Sequence, residues 1–299
     1  MKRFPPKRLL VAADMSASAL AALDAAKMLA LQWDAALEIV HVEAPPLPPI
    51  WGPYGALPPG RGEAASDERP ALAAKLRAAA AGFPPERVKF RTVRGWPAAS
   101  LLELARPERA DLMVMGTHGY SGLDRLLTGS VSEAVIRRAR IPVLAVPETA
   151  DAAGIARVLA PWNGRPYATR ALRWARDLAR GLCATLDVLH VSEPGMASVE
   201  TWASLDARML ALLGPGADWS LRARKGDSRR RIIEEANSGR YGLVVLSAHR
   251  RRFGADFALG STIERLLRHS EIPVLAVPSG VMRRPLVRRL ASRVGGRIY

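Results

Sequence analysis

The chain repeats itself, and that constrains its fold more than any other feature. Arg8-Leu9-Leu10-Val11-Ala12-Ala13-Asp14 aligns with Arg157-Val158-Leu159-Ala160-Pro161-Trp162-Asn163, and the same register sets His190-Val191 on His41-Val42. A second register, shifted by residues lost from the middle of the later copy, pairs Leu112-Met113-Val114-Met115 with Leu243-Val244-Val245-Leu246. It also pairs Gly129-Ser130 with Gly260-Ser261, and Ile141 to Pro147 recurs without a mismatch at Ile272 to Pro278. A period this long belongs to a whole domain rather than to a solenoid unit. The expected division is a first domain over 1–150, a second over 151–280 and a basic tail over 281–299.

Within the first copy, short apolar runs alternate with helical patterns. Leu9 to Ala13, Leu37 to Val42, Val88 to Val93, Leu112 to Met115 and Pro142 to Val146 read as strands. Ala19 to Leu31, Ala71 to Ala81, Ala98 to Ala105 and Val131 to Ala139 read as helices between them. Strands apolar on both faces and separated by helices imply a parallel sheet covered on each side, joined by right-handed crossovers. The fold class is therefore α/β, with two tandem doubly wound, Rossmann-like domains of five parallel strands each. The proline-rich segment Pro45 to Gly60 is expected to be an irregular loop.

After the strand ending at Met115 comes Gly116-Thr117-His118-Gly119, then nine residues, then Gly129-Ser130 at the mouth of a helix. Glycine is needed where backbone approaches phosphate oxygens closely, and a helix N-terminus offers free N–H groups to an anion. In an open parallel sheet, ligands bind beyond the carboxyl ends of the strands. The loop is neither a Walker-type phosphate loop nor a dinucleotide fingerprint.

Gly116-x-x-Gly119, nine residues, Gly129-Ser130 resembles the ATP-binding signature of the universal stress protein family. Asp14 at the end of the first strand, Asp111 to Gly119 and the closing Pro142 to Val146 are similar to that family's pattern too, and the likeness extends over nearly the whole chain as a tandem two-domain member. The resemblance implies an adenine nucleotide alpha hydrolase-like fold and ATP as ligand, with any Mg²⁺ held mainly by the phosphates. It implies that Ala12, Ala13 and Asp14 flank the adenosine and that Val42 packs on the base. Met115, Gly116, His118 and Gly119 would line the phosphate side, and Gly129, Ser130, Val131 and Ser132 would hold the phosphates. The family often has proline where this chain has Ala12. Local readings stay open: Asp14 as an Asx turn at the next helix, and His118 as a solvent-facing loop residue.

The second copy departs at these positions. Asp14 becomes Asn163, Gly116 becomes Ser247 and Gly119 becomes Arg250, while Gly260 and Ser261 persist. The second copy is expected not to bind ATP in the family's manner, with Trp162 filling the adenine slot, or else Arg250 to Arg252 serving another phosphate ligand.

No catalytic constellation stands out: the five histidines form no His-x-x-x-His pair, and His41 and His190, sharing one place in the repeat, read as structural. The single cysteine, Cys183, excludes an intrachain disulfide framework and is expected to be a small buried apolar residue. No apolar run is long enough for a membrane span, so the expected location is the cytoplasm. The formal charge of +16 favours anionic partners. Six arginines between Met282 and Tyr299, with Leu286, Leu290 and Val294 every four residues, suit a nucleic acid or an anionic membrane face; a solvated tail is the favoured reading.

The leading functional reading is a non-enzymatic, ATP-binding regulator in stress physiology acting on an unidentified protein partner. The rivals are a slow ATPase or phosphotransferase, and a nucleotide-independent scaffold or nucleic-acid-binding protein. The resemblance also implies association through the edge strands at Val143 to Val146 and Val274 to Val277, so these edges are expected to pair as an intramolecular pseudo-dimer, with a homodimer left open.

Overall fold

The computed structural model describes residues 4–45, 51–52, 55–56, 69–117, 130–150, 154–193, 202–215, 218–248, 250–253 and 256–279. The first repeat runs β1 (Arg8–Ala12), α1 (Ala17–Trp33), β2 (Ala36–Glu43), a short pair β3 (Trp51–Gly52) and β4 (Gly55–Ala56), α2 (Arg69–Ala79), β5 (Val88–Arg94), α3 (Pro97–Leu104), β6 (Leu112–Gly116), α4 (Ser130–Arg138) and β7 (Val143–Val146). The second runs β8 (Arg157–Pro161), α5 (Pro166–Gly181), β9 (Thr185–Ser192), α6 (Trp202–Leu213), β10 (Trp219–Lys225), α7 (Ser228–Ala236), β11 (Leu243–Ala248), the hairpin β12 (Arg250–Phe253) and β13 (Asp256–Leu259), α8 (Ser261–His269) and β14 (Val274–Pro278).

Local chemistry explains the helix starts. The Ser16 side chain caps the alanine-rich α1 by accepting from the N–H of Ala19, while Pro97 and Pro166 open α3 and α5, where a missing N–H costs nothing. Both α1 and α5 are followed by a left-handed residue at the same place in the repeat, Asp34 and Cys183. Cys183 is accordingly exposed, which corrects the expectation of burial: a residue in the turn that ends α5 stands outside the core. Pro45 to Gly60 also departs from the expected irregular loop. Trp51 pairs with Ala56 and Gly52 with Gly55, four residues that all keep the N–H proline lacks.

The main strands form one sheet in the order β10-β9-β8-β11-β14-β7-β6-β1-β2-β5. Pairing is parallel within each repeat, and the repeats join where β14 meets β7 antiparallel, Val274 opposite Ala145, Leu275 opposite Leu144 and Ala276 opposite Val143. The two repeats are thus an intramolecular pair, and the edges that would otherwise be open satisfy each other. Lys89, Arg91 and Arg94 on β5, and Arg222, Arg224 and Lys225 on β10, place charge along the outer edges, which disfavours further strand addition.

Side chains alternate across the sheet into two continuous cores. Leu144, Val146, Leu275 and Val277 face α1, α2, α5 and α6. Val143, Ala145, Val274 and Ala276 face α3, α4, α7 and α8. Further contacts tie the repeats together: Phe4 packs edge-on against Trp33 and Trp174, Thr149 Oγ1 donates to the Glu271 carbonyl, and Arg268 pairs with Glu133. Because β7 and β14 run oppositely, the carboxyl ends of the two half-sheets lie at opposite edges of the molecule.

Candidate functional site

The carboxyl edge of the first half-sheet gathers the residues singled out in the sequence. Ala12 ends β1, Val42 lies near the end of β2, and Met115 and Gly116 close β6. Met115 is buried; Ala12, Val42, Val93 and Ala98 are half-buried on the same core, as is Val131 in the first turn of α4. This leaves an apolar, partly open wall at the mouth between α3 and α4. Ala13 turns to the other core. His118, Gly119, Gly129 and the Ser130 side chain lie outside the described residues; the Ser130 backbone begins α4.

Asp14 builds the local turn. Its Oδ1 accepts from the Ser16 N–H at 3.0 Å and the Ser16 hydroxyl at 2.6 Å, so it orients the very residue that caps α1. Asn163 does the same in the second repeat by accepting from the Arg165 N–H at 3.2 Å. Between each of these residues and its donor lies a left-handed position: Gly164 has φ +77 and Met15 φ 64. A side chain there costs about 1 kcal/mol or more, which Met15 bears in the first repeat and Gly164 avoids in the second.

Gly116 is required by helix packing. A Cβ there would stand 2.3 Å from Ser18 Oγ and 2.9 Å from Ala19 N and Ser18 C, so the first turn of α1 rests directly on the end of β6. Ser247 occupies the matching place in the second repeat, its hydroxyl oxygen buried and without a partner. Ser132, expected among the phosphate ligands, is buried, and its hydroxyl donates to the Thr117 carbonyl at 3.2 Å. The Thr117 N–H in turn donates to Val146 at 3.0 Å. Ser132 thereby clamps α4 to the end of β6.

The histidines of the repeat have matching structural roles: His41 Nδ1 donates to the Ala13 carbonyl at 2.9 Å and His190 Nδ1 to the Trp162 carbonyl at 3.1 Å. Trp162 does not fill an adenine slot. It is 2 % exposed in the core under α5 and α6, with the Arg208 guanidinium 4.7 Å over its ring; as the counterpart of Ala13, it points to the face away from the cleft. Where the first repeat has its glycine loop, the second has the hairpin β12–β13, with Arg250 opposite Leu259 and Arg252 opposite Phe257, and β13 lies against α4 of the first repeat.

A buried polar cluster in the second repeat escaped the sequence reading. Asp187, 2 % exposed, accepts from Ser220 Oγ at 2.8 Å, Arg222 Nε at 2.8 Å and the Tyr241 hydroxyl at 2.9 Å. The Tyr241 hydroxyl is also 2.9 Å from Glu235 Oε1, which Arg240 holds at 2.6 Å. Burial pushes the Asp187 carboxyl up, but hydrogen bonds from Ser220 and Tyr241 and the charge of Arg222 outweigh it and hold it below its ordinary value. Burial, together with its two carboxylate neighbours, raises Tyr241. In the first repeat the Asp187–Arg222 pair has a counterpart in Glu38 with Arg91, but Ala110 and Leu104 stand at the places of Tyr241 and Glu235, so the cluster around that pair gave no repeat signal. Among the described residues, no group of His, Cys, Asp and Glu is placed to hold a metal ion, and no helix is long and apolar enough to cross a membrane.

The fold defines a tandem Rossmann-like α/β protein, two doubly wound repeats joined in one sheet. The profile of the universal stress protein family matches residues 6–147 and again 154–278, and the chain belongs to that family, with the stress-response role the family carries. It is 36% identical over 143 residues to a universal stress protein of Thermus aquaticus, covering 47% of this chain and 98% of the relative. It is 33% identical over 147 residues to the Bacillus subtilis universal stress protein YxiE, covering 46% and 97%. A shorter stretch of 61 residues is 51% identical to universal stress protein MJ0531 of Methanocaldococcus jannaschii, covering 20% of this chain and only 36% of the relative's length. Among solved structures, a universal stress protein from Archaeoglobus fulgidus superposes with a TM-score of 0.68 at 20% identity, over 91% of this chain and 98% of that one, which bears on the fold alone.

Proposed function

We propose that the chain is a non-enzymatic regulator that binds ATP in the first repeat only, and that the domain division at 150 and 280 separates a binding repeat from a degenerate one. The observation that carries the reading is the half-open apolar wall of Ala12, Val42 and Val131, which lies beside the first turn of α4 at the edge where Gly116 ends β6. That wall is of a kind to pack against a purine, and the α4 N-terminus suits phosphate. Asp14 would reach the adenosine from its place in the turn, and Gly119, Gly129 and Ser130 would supply backbone and hydroxyl contacts to phosphate. Mg²⁺ would ride on the phosphates, held by their oxygens and by water.

Two features of the second repeat favour one site per chain. Arg250 to Phe253 run extended as one strand of the hairpin, a backbone path unlike a glycine loop that folds around phosphate. Asn163, Ser247 and Arg250 stand at the places of Asp14, Gly116 and Gly119. Equilibrium dialysis of the full chain against ATP should give a stoichiometry near one. A value near two refutes the asymmetry; no binding at millimolar ATP refutes the nucleotide reading; sustained ADP release above spontaneous hydrolysis refutes the non-enzymatic one.

A further inference from the structure

The second repeat reaches the phosphate end of the first. Glu133 lies in the first turn of α4, one residue beyond the Ser132 clamp. Its side chain is 14% exposed, and Arg268, from the last turn of α8, donates to Glu133 Oε1 through both Nε and Nη2 at 3.2 Å. The pair spans the seam between β7 and β14, and it exists because those strands run antiparallel and bring the end of α8 beside the start of α4.

A carboxylate in the first turn of a helix stabilises the helix through its positive N-terminus, and for the same reason it competes with an anionic ligand for that end. A largely buried Glu133 left alone would repel phosphate bound one turn away. Arg268 cancels that charge from the other repeat while its own side chain stays 54% exposed.

Resting on the reading of the first repeat as an ATP site, we infer that Arg268 completes that site in trans: by neutralising Glu133 it makes the α4 N-terminus receptive to nucleotide phosphates. The degenerate repeat is then an electrostatic part of the binding site. Arg268 is a positioning residue, acting on the ligand through Glu133.

Calorimetric titration of the full chain with ATP, ADP and adenosine tests this. Arg268→Gln should weaken ATP roughly tenfold, the size expected for an uncompensated charge several ångströms from phosphate at a partly screened surface, weaken ADP less, and leave adenosine unchanged. Glu133→Gln should bind ATP at least as tightly as wild type, and the double variant should recover the loss. Higher salt should shrink the Arg268→Gln effect. ATP affinity within twofold of wild type in Arg268→Gln, an equal loss for adenosine, or no recovery in the double variant overturns the cross-repeat role while the ATP reading stands. A wild-type chain that binds no ATP overturns the ATP reading and this inference with it.

Discussion

Replacing Gly116 with alanine separates packing from ligand binding. A new Cβ would lie 2.9 Å from two backbone atoms of α1, Ala19 N and Ser18 C, besides the Ser18 hydroxyl at 2.3 Å. The hydroxyl can rotate, but backbone contacts of that length must open by about half an ångström to reach ordinary van der Waals separation. The first turn of α1 would have to retreat from β6, against the Ser16 cap and the Asp14 turn that hold it. Overpacking of this kind costs about 1–3 kcal/mol, which lowers the melting temperature by roughly 2–4 °C per kcal/mol for a domain of this size. The assay is denaturant unfolding of the nucleotide-free chain, comparing midpoints at unchanged slope. If Gly116 served only phosphate approach, the nucleotide-free stability would not move. A loss below about 0.5 kcal/mol would therefore refute the close-packing argument.

Tyr241→Phe should destabilise by about 2 kcal/mol in the same assay. It removes a charge-assisted hydrogen bond, while Arg222 and Arg240 still serve the two carboxylates; no measurable loss would show the hydroxyl to be idle. Asp187, held below its ordinary value in the folded chain, contributes stability that is fully present above the unfolded carboxyl's titration. That contribution is lost as pH falls through the lower folded value. Acid unfolding of Asp187→Asn should accordingly lack the part of the pH dependence below about pH 4 that the wild type shows.

How much could be read in advance differs by residue. The five sheet strands and the helices of the first repeat were legible because their apolar period is local; Val143 to Val146, for instance, is buried on both faces and reads as a continuous run. Ala12, Val42, Met115 and Val131 were expected as one group through the resemblance to the family's signature, and the fold sets them along one edge of the sheet. Cys183 misled, since its burial depended on the turn after α5 and not on its residue type. Trp162 misled because its neighbour Asn163 marks the cleft, whereas side chains at consecutive positions point to opposite faces.

The sequence by itself determined a duplicated α/β chain and the asymmetry of the two loops, since each follows from periodicity, turn chemistry or direct comparison of the copies, while the edges expected to meet came from the family resemblance. Only the tertiary structure decided that those edges meet antiparallel as one ten-stranded sheet. Only there is Gly116 seen to be held by α1, and only there do Arg268 and Glu133, and Asp187, Tyr241 and Glu235, come together. Such contacts join residues that local patterns treat as independent, across separations along the chain that only the completed packing of the sheet and its helices closes.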